Sequence, residues 1–222
     1  LALVSGCGQT DEPYKPAPAY SGRKANIPAV PTLPSKPIKS GDAYTVFGAT
    51  HHLRSRVHAP EVAGKELSIT GYIVKTNLAE APACAVHKTG KGDKTEDCKS
   101  AIPAFWIADE KGDDKNTIKV MGWASNYAQI FDAIGKYGTK SAKAPEPVKD
   151  EFWNVDVPNP IPNVGAKVTV TGTFGVTFSK STSGVETDPN RGLLTYAKLN
   201  YIEPPAEPGT LPGMGGAAGK KK

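Results

Sequence analysis

Two stretches of the chain, offset by 101 residues, share one pattern. Leu67-Ser68-Ile69-Thr70-Gly71-Tyr72-Ile73-Val74 alternates apolar and polar residues across a central glycine, and Lys167-Val168-Thr169-Val170-Thr171-Gly172-Thr173-Phe174 does so again. A period of two sends successive side chains to opposite faces of a strand. A glycine inside such a run marks a bulge or a sharp bend. Two bent strands predict a small, strongly coiled barrel. The shared pattern is also ordinary strand grammar, so it is no sign of a duplicated domain.

The segments between them have equally local signals. Ala104-Phe105-Trp106-Ile107-Ala108-Asp109 and Thr117-Ile118-Lys119-Val120-Met121-Gly122-Trp123 read as strands joined through Glu110–Asp114, a hairpin. Ser125 then offers an N-cap for a helix whose apolar residues Tyr127, Ile130, Phe131 and Ile134 are three and four apart, with Gly135 and Gly138 to end it. A proline-rich excursion covers 144–163. A polar loop, roughly 178–191, leads to a last strand over 193–202. Residues 44–49 and 53–58 could add a short strand at the start.

Three strands, a helix and two strands is the order of the OB-fold, a five-stranded Greek-key barrel. Val62-x-Gly64-Lys65-x-Leu67-x-Ile69-x-Gly71-x-Ile73 resembles the first strand of that family. Phe105-Trp106-Ile107-Ala108-Asp109-x-x-Gly112 resembles its second strand and turn. The expected class is therefore all-β, an OB-fold-like barrel over residues 41–203 with one helix between strands three and four. The resemblance implies a ligand face across strands two and three, rimmed by the loops between strands one and two and between four and five. Phe105, Ile107, Ile118 and Val120 are the expected inward set. Trp106, Lys119 and Met121, with Trp123 at the end, then form the candidate binding face. An aromatic, a cation and a flexible Met could stack a base there, or pack under the loop between Cys84 and Cys98 or the excursion, taken over 138–163. The polar loop at 178–191 is a further contact edge by its location.

Charge separates the body from its flanks. Of 27 basic and 22 acidic residues, eight and three lie outside 41–203, which leaves the body 19 of each. A neutral body points away from nucleic acid, whose binders concentrate Lys and Arg on the folded surface. Residues 7–40 hold seven prolines, Pro13 to Pro37, and read as an extended linker. Residues 204–222 read as a disordered tail. Its Lys220-Lys221-Lys222 run is either solvated or weakly attracted to anionic headgroups.

Val4-Ser5-Gly6-Cys7, at the end of an apolar run, resembles the lipobox of bacterial lipoproteins, with residues 1–6 the remnant of a signal peptide. The resemblance implies diacylation of Cys7, anchoring at a bilayer surface, and, with Gly8 in place of Asp, export to the outer membrane of the cell envelope. Cys84 and Cys98 then remain as an even pair in an oxidising compartment and are expected to form a disulfide. The competing reading is a metal on Cys84, His87 and Cys98, one ligand short of a structural zinc site.

Catalytic signatures are missing. The sequence has no Gly-x-Ser-x-Gly, His-Glu-x-x-His or phosphate-cradling glycine loop. His51 and His52, if on a strand, point to opposite faces, and His58 lies six residues beyond. No metal or other cofactor is expected. Asp109, Glu110, Asp113 and Asp114 have the composition of a calcium loop without its spacing. The expected function is that of a non-enzymatic, lipid-anchored envelope protein presenting a binding or structural module to a protein or glycan partner. The alternative is an oligonucleotide- or oligosaccharide-binding protein in the periplasm or on the surface.

Overall fold

The computed structural model describes residues 36–86, 98, 100–138, 146–180 and 185–214. In chain order the elements are β1 (Lys39–Ser40), β2 (Ala43–Thr45), α1 (Val46–Arg54), α2 (Ala59–Val62), β3 (Lys65–Thr76), a 3-10 turn (Leu78–Glu80) and α3 (Ala83–Val86). Then follow β4 (Ala104–Ala108), β5 (Thr117–Met121), α4 (Tyr127–Gly138), β6 (Lys167–Gly175), β7 (Thr177–Phe178), β8 (Glu186–Thr187) and β9 (Leu193–Glu203). Strands pair in the order β3-β4-β5-β9-β6, and β6 returns to β3, which closes a five-stranded barrel. Only the β5–β9 pairing within the barrel is parallel. This is the expected all-β, OB-fold-like barrel, with α4 between its third and fourth strands.

The two glycine-bearing strands, β3 and β6, are antiparallel neighbours, with Ile69 opposite Val170. Their outward hydroxyls form a ladder: Ser68 to Thr171 at 2.8 Å and Thr70 to Thr169 at 2.9 Å. Gly172 sits at a register shift between β6 and β9. A methyl there would strike the carbonyl of Thr195, and one at Gly71 would come within 2.7 Å of the Ala108 carbonyl. The glycines let strands approach where the barrel coils most. Inside, Phe105, Ile107, Ile118 and Val120 are fully buried, as the alternation predicts, among Ile69, Val168, Val170, Phe174 and Leu194.

Several expectations need correction. The short strand allowed over 44–49 and 53–58 is confined to β2 (Ala43–Thr45), beside β3, and α1 occupies Val46–Arg54. Its residues are indifferent helix formers, yet the first three amides of the helix are satisfied by side chains. The Thr45 hydroxyl accepts from Gly48 N at 2.9 Å. The Asp109 carboxylate, from the end of β4, accepts from the amides of Val46 and Phe47 at 2.7 and 2.8 Å. At α4 the cap is Asn126, whose side-chain oxygen accepts from Gln129 N at 3.1 Å. The helix runs through Gly135 and stops at Gly138.

The body is also wider than 41–203. Thr45 N donates to Ile38 O at 2.9 Å, so residues 36–40 belong to it. Residues 204–214 lie on the barrel as well. Gly209 N donates to Ile161 O at 3.0 Å, and Leu211 is 2% exposed. Cys84 and Cys98 form the expected disulfide, with Cα atoms 6.0 Å apart. Cys7 and His87 lie outside the described residues. Among the described residues no helix is long and apolar enough to cross a membrane.

Candidate functional site

The outer face of the barrel's second and third strands carries a cross-strand row. Lys75 of β3 stands opposite Trp106 of β4, and Trp106 stands opposite Lys119 of β5. Both ammonium groups lie over the indole, 5.0 and 5.2 Å from its centre. Such cation–π contacts are worth ~0.5–1 kcal/mol where exposed and more where desolvated. Lys119 is the more desolvated, with 19% of its side chain exposed, and it pairs with Glu186 of β8. The expected face thus has Trp106 and Lys119 together, and Glu186, Thr187 and Arg191 of the 178–191 segment lie beside it. The sequence reading omitted Lys75; the register of β3 on β4 is what brings it in.

Met121 and Trp123 do not belong to this face. Both are fully buried. Gly122 adopts φ +89°, so the strict alternation ends at Met121 and Trp123 turns into the core against Phe105. Met121 points outward but is covered. It packs with Ala104, Phe178 and Leu193 in a second cluster, flanked by Ile102, Trp106 and Trp153. Phe178 from β7 and Trp153 from the excursion, edge-on at 5.8 Å, close that end of the face. The excursion is held by Asp150, which is 1% exposed and binds Ser125, Phe152 and Trp153.

What remains open is a cleft of about 260 Å³ beside the row, lined by Trp106, Thr117, Lys119, Glu186, Thr187, Asp188, Arg191 and Leu193. Thr117 and Arg191 also line a neighbouring cleft of about 320 Å³, bounded by α1 (Phe47, Thr50, His51, Arg54) and by Lys36, Asp113 and Asn116. The acidic groups here are already engaged. Asp109 caps α1. Asp113 accepts from the Asn116 side chain at 2.9 Å and from the amides of Lys115 and Asn116 at 3.0 Å. The Asn116 side-chain hydrogen bond, with the backbone bonds, holds the Asp113 carboxyl below its usual range. Asp113 therefore serves turn geometry, and Asp109 holds the start of α1. Asp188 likewise accepts from Asn190 N and Arg191 N at 3.0 and 2.9 Å, and Arg54 Nε donates to Asn190 O at 3.1 Å. The turn that presents Arg191 is fixed from both sides, and the two clefts offer Arg191, Arg54 and Lys119 to a ligand bearing negative groups.

Among the described residues, His51, His52 and His58 do not lie on a strand. His51 and His52 lie on α1, where His52 is 8% exposed, and His58 precedes α2. His51 stacks on Phe47 at 5.4 Å in the α1 cleft.

No protein-family model and no curated protein matches the chain. Among solved structures, a chain described as an aspartyl-tRNA synthetase from Leishmania major Friedlin is similar at 16% sequence identity and a TM-score of 0.32. The match covers 79% of the present chain but only 23% of that one. A likeness at that level carries no argument about function.

Proposed function

We propose that this is a non-enzymatic, lipid-anchored protein of the bacterial envelope whose barrel binds an acidic protein segment or acidic glycan across β4 and β5. The observation that carries the reading is the Lys75–Trp106–Lys119 row and the way Glu186 meets it. A carboxylate of the chain itself already occupies the cation beside the indole, in a part-buried position. A partner's carboxylate can take the same place or bind the adjoining Arg191. The lipobox resemblance at Cys7 supports anchoring, and the Cys84–Cys98 disulfide supports an oxidising compartment.

A photo-crosslinking residue at position 75 should capture an envelope partner in intact cells, and one at Lys198, on β9, should not. Equal capture at both positions would remove the face from the reading. Cys7→Ser should move the protein from the membrane fraction to the soluble one. Sedimentation of that variant with membranes after a high-salt wash would exclude the lipid as anchor.

A second reading, oligonucleotide or oligosaccharide binding, is favoured by the aromatic at the centre of the face. The two ammonium groups over the ring would have to yield to a stacked base. A steep fall of affinity with salt would support a nucleic acid and a flat response would count against it.

A further inference from the structure

His52, His58 and Glu61 meet where α1 turns into α2. His52 lies in the last turn of α1, His58 immediately precedes α2, and Glu61 is in the first turn of α2. His58 Nδ1 is 2.9 Å from Glu61 Oε1, and His52 Nδ1 is 3.5 Å from Glu61 Oε2. One ligand atom from each residue can be chosen so that all lie within 4.8 Å of one another. The His52 ring is packed between Tyr44, at 5.6 Å, and His58, at 4.9 Å. Its side chain is 10% exposed, and its Nδ1 is buried with no hydrogen-bond partner among the described residues. A buried ring nitrogen facing a carboxylate oxygen, without a bond to it, is an unmet demand for a cation or proton between them.

We propose that His52, His58 and Glu61 form a Zn²⁺ site, with two imidazole nitrogens and one carboxylate oxygen as ligands and solvent in the remaining position. Ligand atoms around a tetrahedral zinc lie ~3.4 Å apart; His52 and His58 face different oxygens of Glu61, so placing both nitrogens and one oxygen, all within 4.8 Å of one another, on one ion takes a small rotation of the exposed carboxylate. Hard cations such as Ca²⁺ and Mg²⁺ want oxygen ligands throughout, whereas two imidazoles and a carboxylate suit zinc. Access is open, because the side chains of His58 and Glu61 are 44% and 52% exposed. The ion would pin the end of α1 to α2. Another face of α1, with Thr50, His51 and Arg54, lines the larger cleft, so the site braces one wall of the candidate binding surface.

The test uses the full chain, without a histidine tag and with Cys7→Ser, so that no free thiol competes once Cys84 and Cys98 are bonded. After chelator treatment, Zn²⁺ titrated by calorimetry should bind one ion per chain at micromolar affinity or tighter. Co²⁺ should give the visible absorption of a four- or five-coordinate nitrogen and oxygen site. His52→Ala risks the fold, so the ligand variants are the exposed His58→Ala and Glu61→Gln. Each should weaken Zn²⁺ by more than about 100-fold, because loss of even an outer partner costs 10–100-fold. His51→Ala and His87→Ala should leave affinity unchanged. No binding at millimolar Zn²⁺, binding that survives both ligand variants, or binding lost with His51→Ala or His87→Ala would each overturn the proposal.

Discussion

Asp150→Asn is the sharpest test of how the excursion closes the barrel face. The two carboxylate oxygens accept four hydrogen bonds. Oδ1 takes the amides of Phe152 and Trp153 at 2.9 and 2.8 Å, and Oδ2 takes Ser125 N and Ser125 Oγ at 2.7 Å each. An asparagine keeps the shape and the two bonds at Oδ1, but presents an amide NH₂ where Oδ2 stood. The Ser125 hydroxyl can rotate and accept from that amide; the Ser125 N–H cannot. One stranded donor costs ~1–3 kcal/mol, and lost charge assistance at the other bonds adds about 1 kcal/mol, for ~2–4 kcal/mol together. Asp150→Ala strips all four bonds and should cost at least ~4 kcal/mol, at the far end of single-site effects. Ser125→Ala alone should cost about 1 kcal/mol. Urea unfolding followed by tryptophan fluorescence reads these values, and Trp153, set against Phe178, reports the excursion itself. Because Ser125 and residue 150 share bonds, their costs should differ from additivity by more than ~0.5 kcal/mol. An Asp150→Asn protein within ~0.5 kcal/mol of the parent, or strict additivity with Ser125→Ala, would refute the reasoning.

Reduction of Cys84–Cys98, with 14 residues of sequence separation, should cost no more than ~3 kcal/mol in the chain-entropy account, since all the barrel strands lie outside the closed loop. Circular dichroism of the reduced protein should keep its β signal, and loss of that signal on reduction would show the disulfide holding the barrel itself. Alkaline pH should unfold the body through its buried phenols: burial, then Glu80, pushes Tyr127 up to about 12, and burial also raises Tyr137, Tyr196 and Tyr201. A phenol whose folded pKa is raised stabilises the fold fully below the unfolded value of about 10. That stability is lost as pH rises from there through the folded values, so urea midpoints should hold to pH ~10 and then fall, with the tyrosinate absorbance of these four phenols rising together with unfolding. Ionisation of all eight tyrosines by pH ~10 in a protein that stays folded would contradict the burial of these four rings.

The barrel strands were legible because their information is local. A period of two, a glycine at residues 71 and 172, and a helical run at 127–134 each act over a few residues. Those signals define the five strands, the helix and the inward set Phe105, Ile107, Ile118 and Val120. The Trp106–Lys119 half of the face followed from the same alternation. Only the tertiary structure decided the rest, because the deciding partners lie far along the chain. Helix α1 exists in a stretch with no helical pattern because a carboxylate 63 residues away satisfies its first amides. Met121 is buried because Phe178 and Trp153 fold over an outward-facing position, and Trp123 because a left-handed glycine turns the chain inward before it. Lys75 joins the face through strand register, and His52 meets His58 and Glu61 through a helix-to-helix turn in a stretch where the sequence allowed a short strand. Local periodicity specifies which side of a strand a residue takes; what covers that side is set by long-range packing.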